Sequence, residues 1–93
     1  MEDHTDYTDM VKPEHLVRKV TLDEHLRPYQ QQVSKGNVPQ SAIDKTKAEY
    51  KSREQPGDEW FEWVWGTEAL MQTGGIALVR NGVIVWAKYE WIS

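Results

Sequence analysis

All five tryptophans of this chain lie in the segment 58–93, which is also cut by the dipeptides Gly66-Thr67, Gly74-Gly75 and Asn81-Gly82. Apolar residues alternate between these cuts with a period of two, the period of a strand rather than of a helix. Asn-Gly is the preferred pair for a type I′ hairpin, and a leading glycine suits type II′. The segment therefore predicts a four-stranded antiparallel meander with strands 59–65, 68–73, 76–80 and 83–92. The stretch 68–73 has a second reading, one helical turn capped by Thr67 and ended by Gly74.

Two-residue loops fix a register, and the register sorts side chains between the two faces. Arg80 would pair with Val83, Val79 with Ile84, Leu78 with Val85 and Ala77 with Trp86. The same spacing pairs Trp65 with Glu68 and Trp63 with Leu70. One face then collects Val64, Met71, Ile76, Leu78, Val83, Val85, Ala87, Tyr89 and Trp91, with Trp60 at its margin. The other collects Phe61, Trp63, Trp65, Leu70, Val79, Ile84 and Trp86, alongside Glu68, Gln72, Lys88 and Glu90.

The composition reverses near Gln55-Pro56-Gly57-Asp58: before it charged residues outnumber apolar ones, and after it apolar residues dominate. Residues 1–15 hold Glu2, Asp3, Asp6 and Asp9 with no apolar period and read as a flexible acidic tail. Thr21-Leu22-Asp23-Glu24 fits a capping box, with Leu22, Leu26, Tyr29 and Val33 on one helical face and Gly36 placed to cap the end. This predicts a helix over 22–35, with a kink or break before Pro28. A second helix is expected over 39–54, with Pro39 in its first turn and a thin apolar stripe of Ala42, Ile43 and Tyr50. The whole reads as an α+β chain: a tail, a single small domain over 16–93 that is helical over 16–57, then the meander over 58–93. At 93 residues and without cysteine, its core is small and no disulfide supports it.

A sheet with one wet face alternates cleanly between apolar and polar residues, and this one does not. The more aliphatic face suits the Leu22/Leu26/Tyr29/Val33 stripe. The aromatic face is then left without a cover, and a patch of that size is seldom exposed on a monomer. Three outcomes satisfy it: the sheet curls into a small barrel, two copies pack as a homodimer, or another protein binds. The expected partner-binding residues are Phe61, Trp63, Trp65 and Trp86, with Glu68, Lys88 and Glu90 as a polar rim.

Other chemistries find little support. His4, His15 and His25 share no ligand spacing, no serine sits in a nucleophile elbow and no phosphate-binding loop occurs. No enzyme activity, cofactor or metal is expected. Single-stranded nucleic acid is the alternative ligand, because aromatic sheets stack bases. The segment 58–93 carries only Arg80 and Lys88 against five acids, and the chain's net charge is −4, which repels phosphate. No apolar run is long enough to span a bilayer, and Met1-Glu2-Asp3-His4 is unlike a signal peptide, so cytoplasmic residence is expected. The reading is a non-enzymatic protein-binding module, an inhibitor, adaptor or assembly factor.

Overall fold

Four strands form one open antiparallel sheet in the order β1-β2-β3-β4: β1 (Leu16–Val20), β2 (Glu59–Trp65), β3 (Thr73–Arg80) and β4 (Val83–Ile92). Two helices, α1 (Leu22–Ser34) and α2 (Gln40–Arg53), lie between β1 and β2 in sequence. The computed structural model describes residues 6–66 and 72–92. The chain divides into two compact units, a sheet unit made of the residues up to Val20 and from Gly57 onward, and a helical unit, Thr21–Pro56. No helix among the described residues is long and apolar enough to cross a membrane.

The sheet does not close into a barrel; β1 and β4 are its outer strands. The expectation that 16–57 is wholly helical fails at β1, which pairs antiparallel with β2 through Arg18↔Glu62, Lys19↔Phe61 and Val20↔Trp60. Its charges are answered across the strands. Arg18 Nη2 lies 3.0 Å from Glu62 Oε1, and Lys19 Nζ lies 2.5 Å from Glu59 Oε2. A short, charged strand with a bulge at Val17 makes a poor template for a further strand, which protects this edge.

The Asn81-Gly82 hairpin forms as its sequence predicts. Asn81 has φ 54° and Gly82 φ 79°, the two left-handed residues of a type I′ turn, and Arg80↔Val83 and Val79↔Ile84 follow. Beyond that pair the predicted register fails. A bulge at Val85 pairs Leu78 with Trp86 and Ala77 with Ala87, one residue out of step. A hairpin loop dictates pairing only up to the first bulge.

Gly74-Gly75 is not a turn. Both glycines lie inside β3, opposite a second bulge in β4 where Gly74 pairs with Trp91, Gly75 with Tyr89, and Glu90 is the extra residue. A Cβ on Gly75 would sit 1.8 Å from the Lys88 carbonyl oxygen, and one on Gly74 would sit 2.3 Å from the Trp91 ring and 2.6 Å from the Trp63 carbonyl oxygen. The pair is required by close approach of neighbouring strands. β3 consequently starts at Thr73, and Trp65 pairs with Thr73 and Trp63 with Gly75, rather than with Glu68 and Leu70. The predicted strand 68–73 lies mostly outside the described residues, as does Thr67 of the Gly66-Thr67 turn.

In the helical unit the capping box is present: Thr21 Oγ1 accepts from Glu24 N at 3.1 Å and Glu24 Oε1 accepts from Thr21 N at 3.0 Å. α1 continues through Pro28 without a break, and Gly36, φ 80°, follows its end. The amide of Asn37 donates to Gln32 O at 2.9 Å, the wide bond of a Schellman cap. Leu22, His25 and Leu26 of α1 and Ile43 and Tyr50 of α2 are buried.

Gly75→Ala is expected to destabilise the chain by about 2–3 kcal/mol, the upper range for overpacking, because the obstacle is backbone and cannot rotate away. Thermal unfolding followed by circular dichroism checks this. A melting temperature within about 3 °C of wild type contradicts the close approach.

Candidate interaction surface

The register places Glu59, Phe61, Trp63 and Trp65 of β2 on one face with Ala77 and Val79 of β3 and Ile84, Ala87 and Tyr89 of β4. This is the aromatic face anticipated from the sequence, altered by the two bulges. Trp86 no longer belongs to it. Paired with Leu78, it lies on the opposite face, where its ring meets that of Trp60 edge to face at 6.2 Å. Tyr89 has moved in the other direction and joins Trp63.

The centre of the aromatic face is covered by the chain itself. Residues 6–11, expected to be a mobile tail, form a small plug. Its Asp6 Oδ1 accepts from Thr8 N at 3.0 Å, and the Tyr7 carbonyl accepts from Met10 N and Val11 N at 2.9 and 3.0 Å. The last of these is a single helical turn, which points Tyr7 and Val11 the same way. Both point at the sheet. The Tyr7 ring stacks on Trp63 at 5.8 Å and on Tyr89 at 5.4 Å, with interplanar angles of 25° and 23°. Between those two rings in the row lies Gly75, which carries no side chain. Val11 completes a buried cluster with Trp63, Ala77 and Ala87, and Leu16 and Ile84 pack against it.

The plug is also stitched to the edge of β4. Tyr7 N donates to Ala87 O at 2.9 Å, Ala87 N donates to Thr8 Oγ1 at 3.1 Å, and Asp6 and Lys88 form an antiparallel bridge. Trp63 is completely buried, and its indole N–H donates to Ile76 O at 3.1 Å. Of the anticipated contact residues, Trp63 is therefore core and Trp86 faces away. Lys88 meets the plug, Glu90 is a bulge residue, and Glu68 lies outside the described residues.

What stays open on this face is its end. Trp65, 41% exposed, is the one exposed aromatic ring among the described residues. Its inner edge meets the His15 ring at 6.5 Å, and His15 Nδ1 in turn accepts from Lys12 N at 2.9 Å. Farther along β2, Phe61 is half-buried beside the Lys19–Glu59 ion pair. Lys19, the cation that pairs across from Phe61, is thus already matched by a carboxylate.

The helical unit holds a groove of about 300 Å3 lined by Leu26 and Ile43 together with Asp23, Arg27, Asp44 and Lys47. Lys47 Nζ donates to Asp23, and this hydrogen bond holds the exposed Asp23 carboxyl below its ordinary value. Asp44 accepts from Gln40 Nε2 at 3.0 Å. Among the described residues no group of three or more histidines and carboxylates is placed to hold a metal ion.

Trp63→Ala is expected to cost about 3–5 kcal/mol, as for other fully buried rings, whereas Trp65→Ala is expected to cost under about 1 kcal/mol. Urea denaturation of the two variants checks the difference. Equal losses contradict the assignment of one ring to the core and the other to the surface. No family model, curated protein or solved structure matches this chain.

Proposed function

We propose that the protein is a non-enzymatic protein-binding module of the cytoplasm, and that its contact surface is centred on Trp65, with Phe61 as a secondary contact. The observation that carries this reading is the exposure of Trp65 on a face whose central ring, Trp63, is covered and whose Phe61 is half-buried. Tryptophan in water at the end of an apolar face loses a large burial term, and it is among the residue types most enriched at binding hot spots. The partner is another protein or a second copy of this chain, acting on an adaptor, inhibitor or assembly surface.

The alternative of single-stranded nucleic acid is disfavoured by the same geometry. A stacking platform needs cations free to meet phosphate. Here Lys19 and Arg18 are engaged by Glu59 and Glu62 across the strand pair. Affinity for a protein surface built on Trp65 responds weakly to salt, and affinity for phosphate falls steeply with it.

The test is affinity capture from nuclease-treated lysate with wild type, Trp65→Ala and Phe61→Ala. A stoichiometric protein held by the wild type and lost with Trp65→Ala, while the variant keeps its melting temperature, supports the reading. Capture that is unchanged in both variants, or that disappears on nuclease treatment of the wild type, overturns it.

A further inference from the structure

The plug has the properties of an exchangeable element. It is short, contiguous and internally hydrogen-bonded: Asp6 Oδ1 accepts from Thr8 N, and Tyr7 O from Met10 N and Val11 N. Its slot is made by residues remote in sequence, namely Trp63, Ala77, Ala87 and Tyr89. Nothing in the contacts between plug and slot requires that the two belong to the same chain.

The connection between plug and β1 is a hinge. Lys12 is already extended, φ −108° and ψ 161°, as the residue before a proline prefers to be. Pro13–His15 is a single 3-10 turn closed by His15 N to Lys12 O at 2.8 Å and by Lys12 N to His15 Nδ1 at 2.9 Å. Opening that turn breaks three hydrogen bonds, these two and the one from Leu16 N to Pro13 O, and moves the His15 ring off Trp65; water replaces the lost hydrogen bonds at modest net cost. Once open, four residues reach up to about 14 Å, enough to carry the plug off its own sheet.

We propose that residues 6–11 exchange between two copies of this chain, the Tyr7 ring of each filling the Trp63–Tyr89 slot of the other. The exchanged dimer keeps every plug contact and changes only the hinge, which is the usual low-cost route to a swapped dimer. It forms slowly, because the plug must first leave a slot in which two ring stacks and a buried valine hold it. The exchange needs no contact through Trp65, although the opening hinge carries His15 away from that ring, and a negative result here leaves the Trp65 reading standing.

The chain has no cysteine, which makes the test direct. Asp6 and Lys88 are paired across the plug and β4, at a separation that antiparallel partners share with disulfides. Chains carrying Asp6→Cys alone are mixed with chains carrying Lys88→Cys alone and oxidised gently. Exchange gives a disulfide between the two kinds of chain in excess over disulfides between like chains. In parallel, wild type is incubated at a series of concentrations and its mass distribution measured by light scattering after size exclusion. While monomer predominates, a tenfold rise in concentration is expected to raise the ratio of dimer to monomer about tenfold by mass action, and Tyr7→Ala is expected to abolish the dimer. Three results would each overturn the proposal: mixed disulfides no more frequent than those between like chains, a wild type that stays monomeric throughout, or a dimer that Tyr7→Ala leaves intact.

Discussion

The sheet unit depends on one side chain meeting two others: the Tyr7 ring against Trp63 and Tyr89, over a strand that carries glycine between them. Each stacked pair contributes about 0.5–1.5 kcal/mol beyond the area it buries. In a chain of 93 residues that is a sizeable part of the net stability. The same contact brings Val11 onto Ala77 and Ala87 and lays Asp6–Thr8 along the edge of β4. It therefore builds the core on this face and covers part of a free sheet edge. Glycine at position 75 is needed twice over, for the approach of the Lys88 carbonyl and for a row in which two outer rings have no third between them.

Much of the architecture was legible because local chemistry fixed it. The type I′ turn at Asn81-Gly82, the Thr21/Glu24 box, the left-handed Gly36 and the apolar alternation of 59–65 and 83–92 each act over a few residues. What escaped depends on partners remote in sequence. β1 reads as polar because its charges lie in the strand centre, and only Glu59 and Glu62 explain how a strand holds Arg18 and Lys19. The acidic run that begins at Glu2 conceals Tyr7 and Val11, whose spacing of four is a single turn of helix and too short to show as a period. Gly74-Gly75 did carry a signal for the second bulge, since glycine inside a strand often marks a close backbone approach. It was absorbed by the competing reading as a turn.

The candidate surface changed for the same reason. One inserted residue inverts every side chain beyond it, so the bulge at Val85 sends Trp86 away from Trp63 and brings Tyr89 beside it, and the bulge at Glu90 returns Trp91 to the face of Val64. The plug takes up part of the apolar surplus seen in the sequence, burying Trp63 and packing against Ile84, and Trp86 is buried on the opposite face. Trp65 and Phe61 remain, Trp65 against His15 and Phe61 beside the Lys19–Glu59 ion pair.

The most direct measurement is hydrogen exchange by NMR at two protons, the Trp63 indole N–H and the Ala87 amide, in wild type and in Tyr7→Ala. One donates inside the sheet unit to Ile76 O and the other donates to the plug at Thr8 Oγ1. If the Tyr7 stack closes this face, protection at both falls together by roughly tenfold to a hundredfold, the equivalent of the two lost ring pairs. Protection at the Trp63 indole that is unchanged in Tyr7→Ala would show that the core stands without the plug and would contradict the account.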